Sequence, residues 1–187
     1  MRTTILTASL VVVLLSLPVA GAAQSNVTYP LDVTLDARTK TEVASVTAPV
    51  TIALNRLMEE SRRQRVLQGL KEGGYPNFLT VLRSLPPVGV VRIGKREVEI
   101  KFAHEAATPK GRRVVLVADR PLFFLANDPD KRRAGYELTM VELLVDPKGG
   151  ISGQMAGAAR VKPGGETGVV LDTFGEEPVT LAGKLSR

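Results

Sequence analysis

Gly111-Arg112-Arg113-Val114-Val115-Leu116-Val117-Ala118-Asp119-Arg120-Pro121 is the stretch whose reading decides the fold. Its centre, Val114–Ala118, is an unbroken apolar run, rich in β-branched residues and fenced by charge at both ends. A run that short suits a strand buried on both faces better than a helix. Such a strand needs partners on its edges and cover on its faces. The chain after Pro87 supplies strands, and the chain before it supplies lead-in strands and a helical cover.

Downstream, the apolar period is two. Val88–Ile93 leads into Glu97–His104, where Val98, Ile100, Phe102 and His104 share one predicted face. Thr108-Pro109-Lys110-Gly111 is a turn, so the central strand should return antiparallel. Tyr136–Asp146 is the next long strand, closed by the turn Pro147-Lys148-Gly149-Gly150. Ile151–Val161 alternates with glycines on one face, which permits close backbone approach or strong bending, as at a barrel corner. Gly168–Phe174 and Pro178–Leu185 complete the set.

Upstream, Val27–Asp36 and Val46–Leu54 alternate as half-buried strands separated by a polar loop at Ala37–Ala44. Asn55 reads as an N-cap for a helix over Arg56–Glu72, ended by Gly73-Gly74. Pro76 can open a second helix that Pro86-Pro87 terminates. The predicted class is therefore α+β, a helical hairpin packed on a strongly curved antiparallel sheet, open or partly closed.

The chain has 187 residues, room for one domain with a substantial core. Aromatics make up only 4% and Trp is absent, so that core must be aliphatic. Residues 1–23 read as a secretory signal peptide: Arg2 is a minimal positive region, Ile5–Val19 is apolar, and small residues follow at Ala20–Ala23. Residues 24–187 then form the single domain. The expected location is outside the cytoplasm, periplasmic or secreted. No later segment is apolar for long enough to span a bilayer. There is no cysteine, which removes disulfides, thiol catalysis and a lipidated cysteine after the signal.

The formal net charge is +6, and +5 once Arg2 is removed with the signal. The basic residues fall in small groups: Arg62-Arg63-Arg65, Arg92-Lys95-Arg96, Lys110-Arg112-Arg113 and Lys131-Arg132-Arg133. That balance suits loose attraction to anionic envelope components. An exported chain without an aromatic-studded basic motif is not read as a nucleic-acid binder.

Three segments together carry a resemblance. They are Leu82-Arg83-Ser84-Leu85-Pro86-Pro87-Val88-Gly89, the Gly111–Arg120 run, and Tyr136-Glu137-Leu138-Thr139-Met140-Val141-Glu142. The chain resembles a family of uncharacterised bacterial exported proteins that show a Leu-Pro-x-Val-Gly-Tyr segment, then Gly-Gly-Arg-Arg-Ile-Val-Leu-Ala-Thr-Asp-Arg-Pro, then Tyr-x-x-Thr-x-x-Glu. It departs from that pattern with Val90 in place of Tyr and Ala118 in place of Thr. The resemblance covers about Leu54–Leu185 and implies one exported domain, with no activity to carry over.

Candidate chemistry is sparse. His104 is the only histidine, so it would be the base of any hydrolytic site, with Asp119 or Glu142 as carboxylate. Gly150-Ile151-Ser152-Gly153 is one residue short of a nucleophile elbow, and no catalytic residue is assigned. One His and no Cys cannot supply a typical zinc site, and Asn127-Asp128-Pro129-Asp130 lacks an intact calcium-loop pattern, so neither metal nor cofactor is expected. Glu142 lies in line with Tyr136, Leu138, Met140 and Leu144, an otherwise apolar face. It should pair with Arg92, Arg113 or Arg120, as a structural ion pair or polar lining inside the curved sheet. The ligand-binding candidates are accordingly His104, Asp119, Arg120, Tyr136 and Glu142.

Three functions follow. The leading expectation is a non-enzymatic binding module for a small apolar ligand or an envelope component. The second is a hydrolase-like enzyme using His104 with Asp119 or Glu142. The third is a structural or interaction protein that pairs through an open strand edge.

Overall fold

A computed structural model describes residues 29–40, 45–124, 134–175 and 177–185. The expected signal peptide at residues 1–23 and the carboxylates at 127–130 lie outside the described residues. The described residues form an eight-stranded closed antiparallel barrel, a ninth strand outside the ring, and one helix. The ring is made by β1 (Leu31–Lys40), β2 (Ser45–Leu54), β3 (Gly89–Ile93), β4 (Arg96–Thr108), β5 (Gly111–Ala118), β6 (Leu138–Val145), β7 (Gly150–Gly164) and β9 (Val179–Lys184). Sequential strands pair from β1 to β7, then β9 closes the ring between β7 and β1. The antiparallel sheet matches the sequence expectation, and the curvature goes to full closure.

Alternation explains the closure. Leu31, Val33, Leu35 and Ala37 of β1 point inward and are buried, while Asp32, Thr34, Asp36 and Arg38 between them are exposed. The same inward parity gives Val50, Ile52 and Leu54 on β2, Val141, Leu143 and Val145 on β6, and Val179 and Leu181 on β9. These side chains form one contiguous cluster across the barrel. Eight strands enclose a space that side chains can fill, and aliphatic residues fill this one. β1 runs on to Lys40, so the polar loop expected from Ala37 is shorter than its composition suggested.

The central run behaves as its composition requires. Val114, Leu116 and Ala118 of β5 belong to the interior cluster, and Val115 and Val117 to a second cluster on the outer wall. That second cluster is capped by helix α1 (Glu60–Arg83), through Val66, Leu70, Tyr75, Phe78 and Leu82. Burial of the Val/Leu-rich strand on both faces is therefore shared between barrel and helix.

The expected helical hairpin is a correction: among the described residues there is one helix, with a kink. Gly74 takes a positive φ of 63°, which glycine tolerates, and Pro76 supplies no N–H to the turn. The kink is sharp: Asn77 Nδ2 donates to the Gly69 carbonyl at 3.1 Å, and a Cβ at Gly69 would lie 3.3 Å from Val81 Cγ2, so the segments on either side of Gly74 lie close together. The apolar residues on both sides of the kink stay against the wall. Asn55 is not the N-cap either; the helix starts after Glu59. The lead-in is held extended because Asn55 N–H bonds the Val88 carbonyl and Met58 N–H the Ala103 carbonyl, both at 2.9 Å.

Two bulges shift faces that simple alternation would fix. One lies in β4 between Ile100 and Phe102. It sends Phe102 and His104 to the outer wall, whereas Val98 and Ile100 stay inside. The four-residue face expected in the sequence is thus split. The second bulge, opposite Leu138–Met140, moves Ala159 of β7 off the Ile151–Met155 face and onto the outer cluster with Ala156.

Beyond that point β7 pairs with β8 (Gly168–Phe174), whose register with β7 is offset near Arg160 and Val161. Val161, Val169 and Leu171 turn toward the outer cluster, so this hairpin lies against the barrel wall beside the helix.

Gly153 shows why β7 is glycine-rich. A Cβ there would sit 2.1 Å from the Glu142 carbonyl oxygen, inside the β6–β7 pair. Gly153→Ala should therefore destabilise the barrel by about 2–3 kcal/mol, because backbone rather than a flexible side chain must yield. Ser152→Ala, at an exposed neighbour, should change the thermal midpoint by little. Thermal unfolding of both variants checks the contrast; equal midpoints would refute the close-approach account.

Candidate functional site

Glu142 lies on β6 with Val115 of β5 on one side and Gln154 of β7 on the other. Its parity is opposite to inward Val141 and Leu143, so it stands on the outer wall. The expectation of a polar lining inside the sheet is corrected on this point. The expected pairing is found, with Arg113 among the three candidates. Arg113 sits two positions along β5, and its Nη1 donates to Glu142 Oε1 at 2.5 Å. Arg113 Nε lies 3.3 Å from Glu166 Oε2, near enough for charge attraction but outside hydrogen-bond geometry. Glu166 comes from the β7–β8 turn, so the cluster ties that hairpin to β5 and β6.

A shallow groove of about 240 Å³ opens beside the cluster, lined by Arg113, Glu142, Leu144, Ser152, Gln154 and Thr180. A narrower crevice adjoins it and shares Glu142 and Gln154; there Leu171 of β8 faces Met140 and Ala156. β8 thus borders the crevice through Leu171, while β5, β6, β7 and β9 line the groove.

His104 is half-buried on the outer wall, opposite Val115. Burial pushes its pKa below the ordinary imidazole value, Arg63 lowers it further, and Glu60 and Glu105 act in the opposite sense. His104, Val115 and Glu142 occupy one cross-strand row, which puts two strand spacings, about 10 Å, between His104 and Glu142. Asp119 follows the end of β5, beyond the Ala118–Thr139 pair. Among the described residues no hydrogen bond or ion pair joins His104 to Asp119 or Glu142. Arg120 is exposed, and its carbonyl accepts the Thr139 hydroxyl at 2.9 Å. Tyr136 is half-buried just before β6. Of the five candidates, Glu142 alone lines the groove.

Two polar clusters had no signal in the sequence, because they join residues far apart in the chain. Tyr29 donates to Glu105 Oε2 at 2.9 Å, and Arg112 pairs with the other oxygen of that carboxylate. Burial and the neighbouring carboxylate both push the Tyr29 phenol upward, so it remains a donor. At the kink of α1, Tyr75 donates to Glu137 Oε2 at 2.7 Å, while Arg160 stacks 5.2 Å from its ring centre. Burial raises the Glu137 pKa, but the bonds from Gly135 N–H and the Tyr75 hydroxyl outweigh it and hold the carboxyl below its usual range. Both clusters are tied internally and serve to anchor the lead-in to β1 and the helix kink. Among the described residues no group of three His, Asp or Glu side chains is placed to hold a metal ion.

Compared with protein-family models, curated proteins and solved structures, the chain matches none. The resemblance to exported bacterial proteins rests on the three quoted segments alone.

A His104 pKa lowered in the folded state means that the unfolded chain binds the proton more readily. The stability contributed by neutral His104 is present above the ordinary value near 6.5 and is lost as pH falls below it. Chemical denaturation between pH 7.5 and 5.5 should show falling stability, and His104→Gln should flatten that slope. Carboxylates such as Glu137 act lower, below their ordinary value near 4.5. An unchanged slope in the variant would remove His104 from the account.

Proposed function

We propose that this protein is a non-enzymatic binding module, exported to the bacterial cell envelope, that engages its partner on the outer wall of the barrel. The filled interior carries this reading. Inward side chains such as Leu35, Ile52, Ile100 and Leu143 are fully buried in one aliphatic cluster, which leaves the outer groove beside Arg113 and Glu142 as the surface offering both relief and polar groups. Export is read from residues 1–23, and the reading of an outer-wall binder does not depend on it. A groove of about 240 Å³ is below the ~300 Å³ at which pockets begin to enclose a small molecule, so an extended or surface-bound partner fits it better. Arg113 is already matched by two carboxylates, which argues against an anionic component at this position. The separation of His104 from both carboxylates leaves the hydrolase reading without an assembled base and acid.

Photo-crosslinking in the exporting cell tests the proposal. A crosslinker at Ser152 or Thr180, on the groove floor, should give discrete adducts that Arg113→Ala reduces. One at exposed Arg92, on β3 across the ring, should give none. Native mass spectrometry of the purified protein should show the bare polypeptide mass. A reproducible small-molecule adduct that survives loss of the groove side chains would move the binding site into the barrel and overturn the outer-wall reading.

A further inference from the structure

We propose that two copies of this protein associate through the free edge of β4 beyond Ala103, pairing antiparallel about a two-fold axis at Ala106. This goes beyond the outer-wall reading and does not depend on it.

The ring leaves that edge uncovered. β3 pairs with β4 only from Arg96 to Ile100, whereas β4 runs on beside β5 to Thr108. The lead-in to the helix closes one further position, where the Met58 N–H bonds the Ala103 carbonyl at 2.9 Å. Ala103 therefore turns its backbone groups away from β5. These groups alternate sides along a strand, so Glu105 and Ala107 turn theirs the same way. The turn agrees: Thr108 faces Gly111 across the loop Pro109-Lys110, which leaves Ala107 in the outward phase. Among the described residues no backbone group bonds Glu105 or Ala107 on that side, and Ala107 is exposed.

The edge is also firmly held. β5 beneath it stays paired with β6 as far as Arg112 and Val145. Glu105 is fixed by Arg112 and the Tyr29 hydroxyl, and the Thr108 hydroxyl donates to the Gly111 carbonyl at 3.0 Å. An ordered row of unpaired N–H and C=O groups is a template for a further strand.

Self-complementarity names the occupant. The free stretch is bounded by the Met58 lead-in at one end and the Pro109-Lys110 turn at the other, with Ala106 midway. In a two-fold antiparallel pair Glu105 lies opposite Ala107 of the second copy, and the reverse, which makes about four backbone bonds. The turn of each copy then comes to rest beside the lead-in of the other. Lys110 is exposed at the turn, and Glu59, whose partner is Arg62 at 3.3 Å, follows Met58 with its carboxylate exposed. Opposite charges thus stand at the two ends of one edge, as an isologous contact needs. Ala106 and Ala107 at the axis add no bulk. So short an edge buries less than the ~1,000 Å² of a lasting interface, which makes the dimer reversible.

The chain has no cysteine, which gives a direct test. Across the axis the two Ala106 residues form a wide pair with Cα atoms about 4.5 Å apart, within disulfide reach. Ala106→Cys should oxidise to a covalent dimer at least tenfold faster than Arg92→Cys, an exposed position on β3. In sedimentation velocity the unaltered chain should shift from monomer toward dimer between micromolar and millimolar concentration. Ala107→Pro removes an edge N–H that the fold does not use and should hold the protein monomeric. Because proline also restrains β4, hydrogen exchange of the unaltered chain provides the second readout. The Glu105 and Ala107 amides should slow at least threefold in the concentrated sample.

A chain that stays monomeric throughout overturns the proposal, as do equal oxidation rates for the two cysteine variants. So does a dimer that survives Ala107→Pro and leaves both amides unchanged, because its interface lies elsewhere. Full protection of those amides at every concentration would put a segment of the same chain on the edge and overturn it too. The outer-wall reading is untouched by any of these outcomes and is decided by the crosslinks from Ser152 and Thr180.

Discussion

β7 pairs with three strands, and the rest of the structure depends on that. Its first half accepts β6 along one edge and β9 along the other, which turns a meander into a ring. Its second half leaves the ring and pairs with β8. One strand thus closes the core and builds the hairpin over the wall. The demand is met by small residues: Gly153 where backbones meet, then Ala156, Gly157, Ala158 and Ala159 where the strand bends between two packed layers. Larger side chains there would displace either β6 or the helix.

Closure also decides which surfaces can carry function. An eight-stranded ring lined by Leu, Ile and Val has its interior taken up by its own stability. Polar residues are left to the outside, where β1 alternates exposed Asp32, Thr34, Asp36 and Arg38 with buried aliphatics. This arrangement is the reverse of a membrane barrel, which turns apolar side chains to lipid and polar ones to its lumen. The helix then covers the apolar sector of the wall over β4–β7, and the β7–β8 hairpin covers part of the remainder. The groove is the strip between cover and open wall.

The sequence was most legible where composition left one solution. Val114–Ala118 contains no polar residue, so burial on both faces followed before any partner was known. Strand alternation in β1 and β2 was equally plain. The period failed at bulges, because an inserted residue such as Lys101 changes face without changing composition. Lys101 is itself buried and reaches Glu99 at 2.8 Å, a partnership that period-two reading cannot see. Gly73-Gly74-Tyr75-Pro76 misled for a related reason. The same residues suit a helix end or a kink, and the choice is made by Tyr75, whose buried ring and bond to Glu137 keep the chain on the wall. Glu142 was recognisable as a carboxylate on an apolar face that needed a cation. Which face it used depended on closure, and Glu166 joined it through a hairpin that no local pattern foretold.

The polar clusters differ in a way that separates support from binding. Glu105 is engaged by Arg112 and Tyr29, and Glu137 by Tyr75 and the Gly135 N–H, so each carboxylate has both oxygens engaged within the fold. Both lie where a lead-in segment or a helix kink must be fixed. Arg113 has the reverse arrangement, one guanidinium between two carboxylates from different elements, with all three side chains partly exposed and its Nε buried without a hydrogen bond. Exposed ion pairs contribute little to stability, since water screens them and side-chain entropy opposes them. A structural role alone gives weak reason to gather these three groups beside a polar groove. Recognition gives a stronger one: the groups stay partly exposed, their charge is unbalanced by one, and a partner that excludes water would strengthen the interactions they make.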